Sequence, residues 1–587
     1  MKCFLFILAF FLLNQKNISG QEKSAVQYGN VTINDFTLPS SPVIDSNTTG
    51  VILADIGSTH FAGNKNGFFL YVLNVFARKM ILNKKAFDDL GLIKIRLYGR
   101  EEYKDQLTDF KASVYNLENG RMVTASVDKK DLFEDKLSPF ITENKISLPT
   151  VKEGSIIEYS YTITSYRYFA IPRWKFQWLD YPSLYSECEV VFPDMIPYGV
   201  IRYGIDSFYR NETTVVKNSK YYMGPVTVIS NDIQRRWIMK DIPAFKKEKF
   251  IYSPGDYLDM VEFAIAETYR GKTVVDLKTS WETVTRELLG DGYFGTRIAN
   301  DATFNLAGTV EKITSSDKDS MESARHLFSY VRDNFICIPD NVIYLFNDLY
   351  DINKRKKGSV TDLNMLLIGL LRQKGIHADP VILSTREYGK NSSEYPLLDR
   401  MNYVICMIRV FGDTIYLDAS RPQLGFGQLP LDCYNGHARI ISDGGGAVYF
   451  NPEKIKEEET TVVFIGNESK GKSSGWVERN LGFFGTEKLR MEIKESGLKK
   501  YLDNISSEFT NETEVLNPGI DSLDKTDFPV KVHFDLNFPM QGDVIYFNPV
   551  VVTPYKQNPF KPDQRKYPVS LPMPVNELYT LNMEIPD

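Results

Sequence analysis

Apolar positions change their period twice along this chain. From about residue 30 to 265 they mostly alternate with polar ones. In the segment GSIIEYSYTIT, Ile157, Tyr159, Tyr161 and Ile163 alternate with Glu158, Ser160 and Thr162, the period of a half-buried strand. This reading places Glu158, and Glu189 in its own strand, on outer faces. Ile93–Tyr98 alternates cleanly, and Cys188–Phe192 is more continuously apolar. Arg173–Trp178 also alternates, and its Trp174, Phe176 and Trp178 read as core residues sooner than as a stacking platform for sugar or peptide. Strands of this kind, punctuated by turn residues, predict an N-terminal antiparallel β-sandwich-like domain.

Near Thr279 the period becomes helical. Thr279 and Glu282 have capping-box spacing, Val284 and Leu288 follow, and Gly290 ends the segment. From Met321 on, Ala324, Leu327, Phe328, Val331 and Phe335 share one helical face. Asp362–Lys374 (DLNMLLIGLLRQK) is apolar almost all round, with Gly375 as its stop signal. Strands are expected next at Ala378–Ser384, Asn402–Val410 and Thr414–Asp418. Helices followed by strands make an α+β unit. Beyond Ser442, glycine and charge runs read as connection around a strand at Thr461–Ile465. The β period then returns in Val530, Val532, Phe534 and Leu536, with further strands at Asp543–Phe547 and Pro549–Val552. The fold class is therefore multidomain α+β, with an N-terminal β domain over 21–270, a central α+β domain over 271–445 and a C-terminal β domain over 446–587.

Length and composition support that division. A chain of 587 residues, 43% of them hydrophobic, is long enough for three or four separate cores. The net charge of −6 comes without a long basic stripe, which argues against a nucleic-acid partner. Met1-Lys2, the apolar run Cys3–Leu13 and a small-residue exit near Gly20 have the layout of a secretory signal peptide over residues 1–20. About 11 apolar residues are too few to span a bilayer, and no later run is long enough. The expectation is an exported chain, periplasmic or extracellular, with no membrane span after processing. Cys188, Cys337, Cys406 and Cys433 match no metal or redox spacing, although one bridge stays open, and the five histidines are scattered. No metal or other cofactor is expected.

Particular stretches carry a resemblance. In the N-terminal part they are Leu53–Gly57, Ile81–Lys85, Val151–Tyr159 and Trp237–Phe245. In the centre they are Gly358–Asn364, Asp379–Arg386, Asn402–Ile405, Leu417–Ala419 and Leu429–Gly436, and at the end Asn558–Lys561 and Arg565–Val569. Together they resemble a bacterial exported family with an N-terminal β domain of unknown function, a transglutaminase-like core of papain-like fold and a C-terminal β domain. The resemblance also implies that this chain stops early, near Leu581–Asp587. In that superfamily a cysteine opens the buried helix, a histidine begins a strand and an aspartate ends the next. The corresponding slots here hold Val360, Tyr403 and Asp418.

The chemistry of the superfamily needs all three. A helix N-terminus and an imidazole together lower a thiol's pKa, and the carboxylate orients the imidazole. Valine has no lone pair to attack a carbonyl, and tyrosine is a poor base near neutral pH. Triad members act as a unit, so Asp418 alone supplies no partial activity. The degenerate slots predict a non-catalytic protein that binds or scaffolds a peptide, glycan or protein partner of the cell envelope. The alternative is a thiol-type amidase, peptidase or cross-linking enzyme with a rearranged nucleophile. Ser359 or Thr361 would have to serve as the nucleophile of such a rearrangement, whereas Cys337, after a different helix, reads as a buried inert thiol. Tyr403 is also expected to donate a hydrogen bond to Asp418, since buried polar groups need partners.

Overall fold

The computed structural model describes residues 26–99, 101–138, 140–265, 268–270, 273–275, 280–299, 306–338, 342–345, 347–469, 472–507, 509, 513–539, 550, 558–560 and 565–584. The signal-like segment, Thr279, and the strands read at 543–547 and 549–552 (except Val550) lie outside these residues. Among the described residues no helix is long and apolar enough to cross a membrane. The molecule is multidomain and strand-rich. It divides into two compact units, one reaching to Met195 and including Asp206–Phe245, the other made of Ile196–Ile205 and the chain from Lys246 on.

The first unit is built on an eight-stranded sheet. Its order is Arg210–Met223, Val226–Ile242, Ser183–Phe192, Gly50–Gly63, Phe69–Ile81, Ile156–Ser165, Gln106–Glu118 and Arg121–Asp128. A small sheet of Leu92–Tyr98, Ile141–Ser147 and Phe133–Ser138 accompanies it. Leu92–Tyr98 has the alternation read from sequence, with Ile93, Ile95 and Leu97 buried and Lys94 and Arg96 exposed. Two expectations need correction. The large sheet is not wholly antiparallel, because Gly50–Gly63 runs parallel to Ser183–Phe192. Parallel neighbours need a long connection, and here several strands of the same unit intervene. Nor is Glu158 on an outer face, since it is fully buried. Arg78 binds its Oε1 at 2.7 Å, Tyr115 Oη donates to its Oε2 at 3.1 Å, and the Gly29 amide donates to Oε2 at 2.8 Å. The strand lies inside the sheet and its second face is covered, so period-two alternation sorts residues to two buried faces. Glu189 is half-buried. Phe176 is fully buried against Phe208, and the Trp174 indole donates to Ser186 Oγ at 3.1 Å, so the aromatic trio serves packing.

In the second unit, Tyr198–Tyr203 pairs antiparallel with Met260–Ile265. The central segment then forms helices Trp281–Gly290, Gly295–Ala299, Ala307–Thr314, Ser320–Asn334, Leu349–Arg355 and Val360–Gln373. The first is capped one residue later than the sequence pattern placed it, by Ser280 Oγ accepting from the Thr283 amide at 3.2 Å. Val360–Gln373 packs on a five-stranded antiparallel sheet with the order Asp413–Leu417, Tyr403–Val410, His377–Leu383, Gly436–Ile440 and Ala447–Phe450. Every residue from Val360 to Leu371 is buried, which explains a helix apolar on all sides. Gly375, at φ +81, ends it. The Ile376 amide returns to the Leu371 carbonyl and the Gly375 amide to that of Arg372, both at 2.9 Å, which is the Schellman arrangement.

The segment beyond residue 446 is not purely β. Its sheet, in the order Glu514–Asp521, Lys531–Pro539, Lys472–Asn480, Glu457–Ser469 and Val575–Met583, is joined by helices Phe483–Ser496 and Leu498–Ser507. The first of these escaped the sequence pattern because its inward face is largely polar: Thr486, Glu487 and Arg490 are buried along with Leu489. Arg490 donates to the carbonyls of Ser522, Leu523, Lys525, Thr526 and Phe528 in its own segment and to that of Gln423, all at 2.7–3.4 Å, and the Gln423 bond moors this helix to the central segment.

Candidate functional site

The helix Val360–Gln373 begins in a capping box. Ser359 Oγ accepts from the Asp362 amide at 3.0 Å, and Asp362 Oδ2 accepts from the Ser359 amide at 3.1 Å. A Cβ on Gly358 would lie 2.7 Å from Asp362 Cβ, so this turn requires glycine. Thr361 Oγ1 donates to the Val342 carbonyl at 2.7 Å and is fully buried. Both hydroxyls named as substitute nucleophiles are therefore occupied in holding the helix start. Val360 itself packs in a buried cluster with Tyr403, Ile405, Leu429 and Cys433.

Tyr403 opens its strand and Asp418 follows the end of the next, and the antiparallel pairing of those strands brings the two together. Tyr403 Oη donates to Asp418 Oδ2 at 2.7 Å. Asp418 Oδ1 accepts from Asn364 Nδ2 and the Ser420 amide at 2.9 Å, and from Ser420 Oγ at 2.6 Å. Asn364 also donates to the Val404 carbonyl and accepts from the Ala419 amide. Asp418, Asn364, Tyr403 and Ser420 are all buried. A buried carboxylate with four donors is a satisfied structural centre.

Three groups that the sequence reading did not place here also belong to the site. Arg421 Nε lies 3.5 Å from Tyr403 Oη. Cys337 sits opposite Gly358 in a short parallel pairing of Ile336–Ile338 with Lys357–Ser359, and its thiol feels the Asp418 charge. Glu487, on the helix Phe483–Ser496, is coupled electrostatically to Arg421 and Asp418. One signal for the network was available in the sequence: Asn364 is an amide inside an otherwise apolar helix.

The electrostatics oppose nucleophilic chemistry. Burial, and then the Asp418 charge, push the Cys337 thiol up to about 11, with Arg421 opposing. Burial and Asp418 likewise raise the Tyr403 phenol well above its ordinary value. A protonated thiol and a phenol that only donates provide neither nucleophile nor base near neutral pH. Burial lifts the Glu487 carboxyl to about 7, Asp418 and Asp432 adding to it and Arg421 opposing. A carboxyl raised on folding stabilises the fold fully below its ordinary pKa and loses that contribution as pH rises through the folded value. We therefore expect Glu487→Gln to remain level with the wild type near pH 5 and to gain several degrees of relative Tm by about pH 8. Thermal melts across that range check this, and a pH-independent difference would refute it.

At the edge of the buried cluster that holds Val360 and Tyr403 lies a groove of about 530 Å³, lined by Tyr416, Tyr434, Tyr449, Phe450 and Lys454. The Tyr416 and Phe450 rings meet edge to face at 4.9 Å.

Comparison with known proteins agrees at the level of fold. A family model described as a domain of unknown function with a solved structure (DUF3858) matches residues 543–587. No curated protein matches the chain. Among solved structures, a candidate protease from Parabacteroides distasonis is similar at 12% identity, with 84% of this chain and 93% of that one covered and a TM-score of 0.50. A candidate cysteine protease from Cytophaga hutchinsonii shares 11% identity over 65% of this chain and 86% of its own, at a TM-score of 0.19 that carries no structural argument.

Proposed function

We propose that this chain is an exported, non-catalytic member of the transglutaminase-like superfamily that binds a peptide, glycan or protein partner in the cell envelope. One observation carries the reading: the three slots hold Val360, Tyr403 and Asp418, and Tyr403 donates to Asp418 inside a closed hydrogen-bond network. The likeness in fold to a candidate protease supports descent from a catalytic architecture. With the former catalytic centre buried, the aromatic groove of Tyr416, Tyr434 and Tyr449 is the better surface for a partner, since ring faces pack on sugars and apolar side chains alike. Assays of the purified chain with glutamine peptides and a primary amine, with and without a thiol alkylator, are expected to show no alkylator-sensitive turnover. Turnover of that kind would refute the proposal.

A second reading has one observation behind it. Cys337, paired opposite Gly358, sets a thiol beside the turn that opens the helix, where a rearranged hydrolase would need it. That reading requires Cys337→Ser to abolish any turnover found in the same assay while leaving the fold unchanged. Against it stand the raised thiol and the absence of an imidazole among the groups acting on it.

A further inference from the structure

The turn between helices Ala307–Thr314 and Ser320–Asn334 carries a second cluster of chemistry-bearing groups, remote in sequence from the slots above. Glu322 and His326 are four residues apart on Ser320–Asn334, so they share one helical face. Asp317, in the turn, reaches the same place. One ligand atom from each of the three lies within 4.8 Å of the other two. The closest pair is Asp317 Oδ1 and His326 Nδ1, at 2.7 Å.

The ordinary account of such a cluster is helix capping with an ion pair. Asp319 caps the helix by accepting from the Glu322 amide at 2.8 Å, and Glu322 Oε2 accepts from the Lys318 amide at 2.8 Å. Carboxylates near a helix start are favoured by the macrodipole in any case. That account leaves one atom unexplained. The Asp317 side chain is only 2% exposed, and its Oδ2 has no hydrogen-bond partner. A buried carboxylate oxygen without a donor is costly, and native structures contain few. A cation held between Asp317, Glu322 and the imidazole would satisfy it.

We propose that Asp317, Glu322 and His326 form a binding site for a divalent cation of the zinc class. Two carboxylate oxygens and one imidazole nitrogen suit zinc or manganese, whereas calcium takes six to eight oxygens. Three protein ligands leave at least one position for water, and the half-exposed His326 keeps the site open to solvent. The cation fastens the turn to the helix that follows it. The sequence reading passed over this site because it looked for cysteine and histidine spacing, and here carboxylates supply two of three ligands.

The test is a calorimetric titration of Zn²⁺ into the full chain, with a parallel thermal melt. The expected result is uptake of about one equivalent and a rise in Tm, with affinity at least tenfold weaker in His326→Ala and in Glu322→Gln. His377→Ala, which removes another histidine paired with an aspartate, should leave binding unchanged. Circular dichroism of each variant without metal establishes its fold. Either of the first two variants suffices alone, since each removes one ligand at a site not fully buried. No uptake, unchanged affinity in the folded His326→Ala or Glu322→Gln variant, loss of binding in His377→Ala, or a sulfur shell in X-ray absorption of the zinc-loaded chain would each overturn the site.

Discussion

Asp418→Ala is expected to destabilise the second unit by about 4 kcal/mol, the sum of several buried groups losing their partner. The carboxylate accepts from Asn364, Tyr403 and twice from Ser420 in a site with no access to water. Truncation leaves one Asn364 N–H without an acceptor and the Tyr403 hydroxyl with only its longer 3.3 Å contact to Ser420 Oγ, losses of about 1–3 kcal/mol each, and leaves a cavity. A carboxylate retained for catalysis behaves the other way: its removal relieves an electrostatic cost and stabilises or leaves stability unchanged. Denaturant unfolding of Asp418→Ala beside Tyr403→Phe separates the two cases. The phenylalanine variant removes a single donor and should cost roughly 1–2 kcal/mol. A neutral or stabilising Asp418→Ala would show that the network is not the structural centre described above.

A loss of similar size is expected for Glu262→Ala. Arg400 is fully buried, and its Nε and Nη2 bind Glu262 at 2.9–3.2 Å. Tyr203 Oη donates to the same carboxylate at 2.9 Å, and the guanidinium lies 4.7 Å from the centre of the Tyr203 ring. Removing Glu262 strands a guanidinium away from water, at a cost of about 3–5 kcal/mol. Replacing both partners by methionine removes the desolvation penalty along with the attraction, so the double variant should unfold within about 1 kcal/mol of the wild type. A double variant as unstable as Glu262→Ala would mean that the pair is a net source of stability.

The central elements were legible in the sequence because their signals are local. Gly375 and an unbroken apolar run define the helix now seen at Val360–Gln373, and β-branched runs mark the strands beside it. The resemblance, read with chain order, also put Tyr403 beside Asp418, since strand starts and strand ends of an antiparallel pair lie at the same edge. What could not be read were faces. Glu158 looked solvent-exposed because alternation reports two faces and not what covers them. The helix Phe483–Ser496 was missed because Thr486, Glu487 and Arg490 point inward, where the pattern expects apolar residues. Arg400, in a three-residue turn, carries no periodic signal at all. In each case the partner that makes a polar residue a core residue is far away in the chain, and Cys337 reached the site by the same kind of long-range pairing.

The mooring made by Arg490 also bears on the order in which the chain is completed. Arg490 and the Gln423 carbonyl it binds are 67 residues apart, and Arg332 reaches Thr526 Oγ1 across 194. Contacts of that span form late, because a long loop must close before any of them contributes. A chain synthesised N-terminus first therefore holds its central sheet before these two contacts can form. Until then the Gln423 carbonyl and the Arg332 guanidinium wait for Arg490 and Thr526.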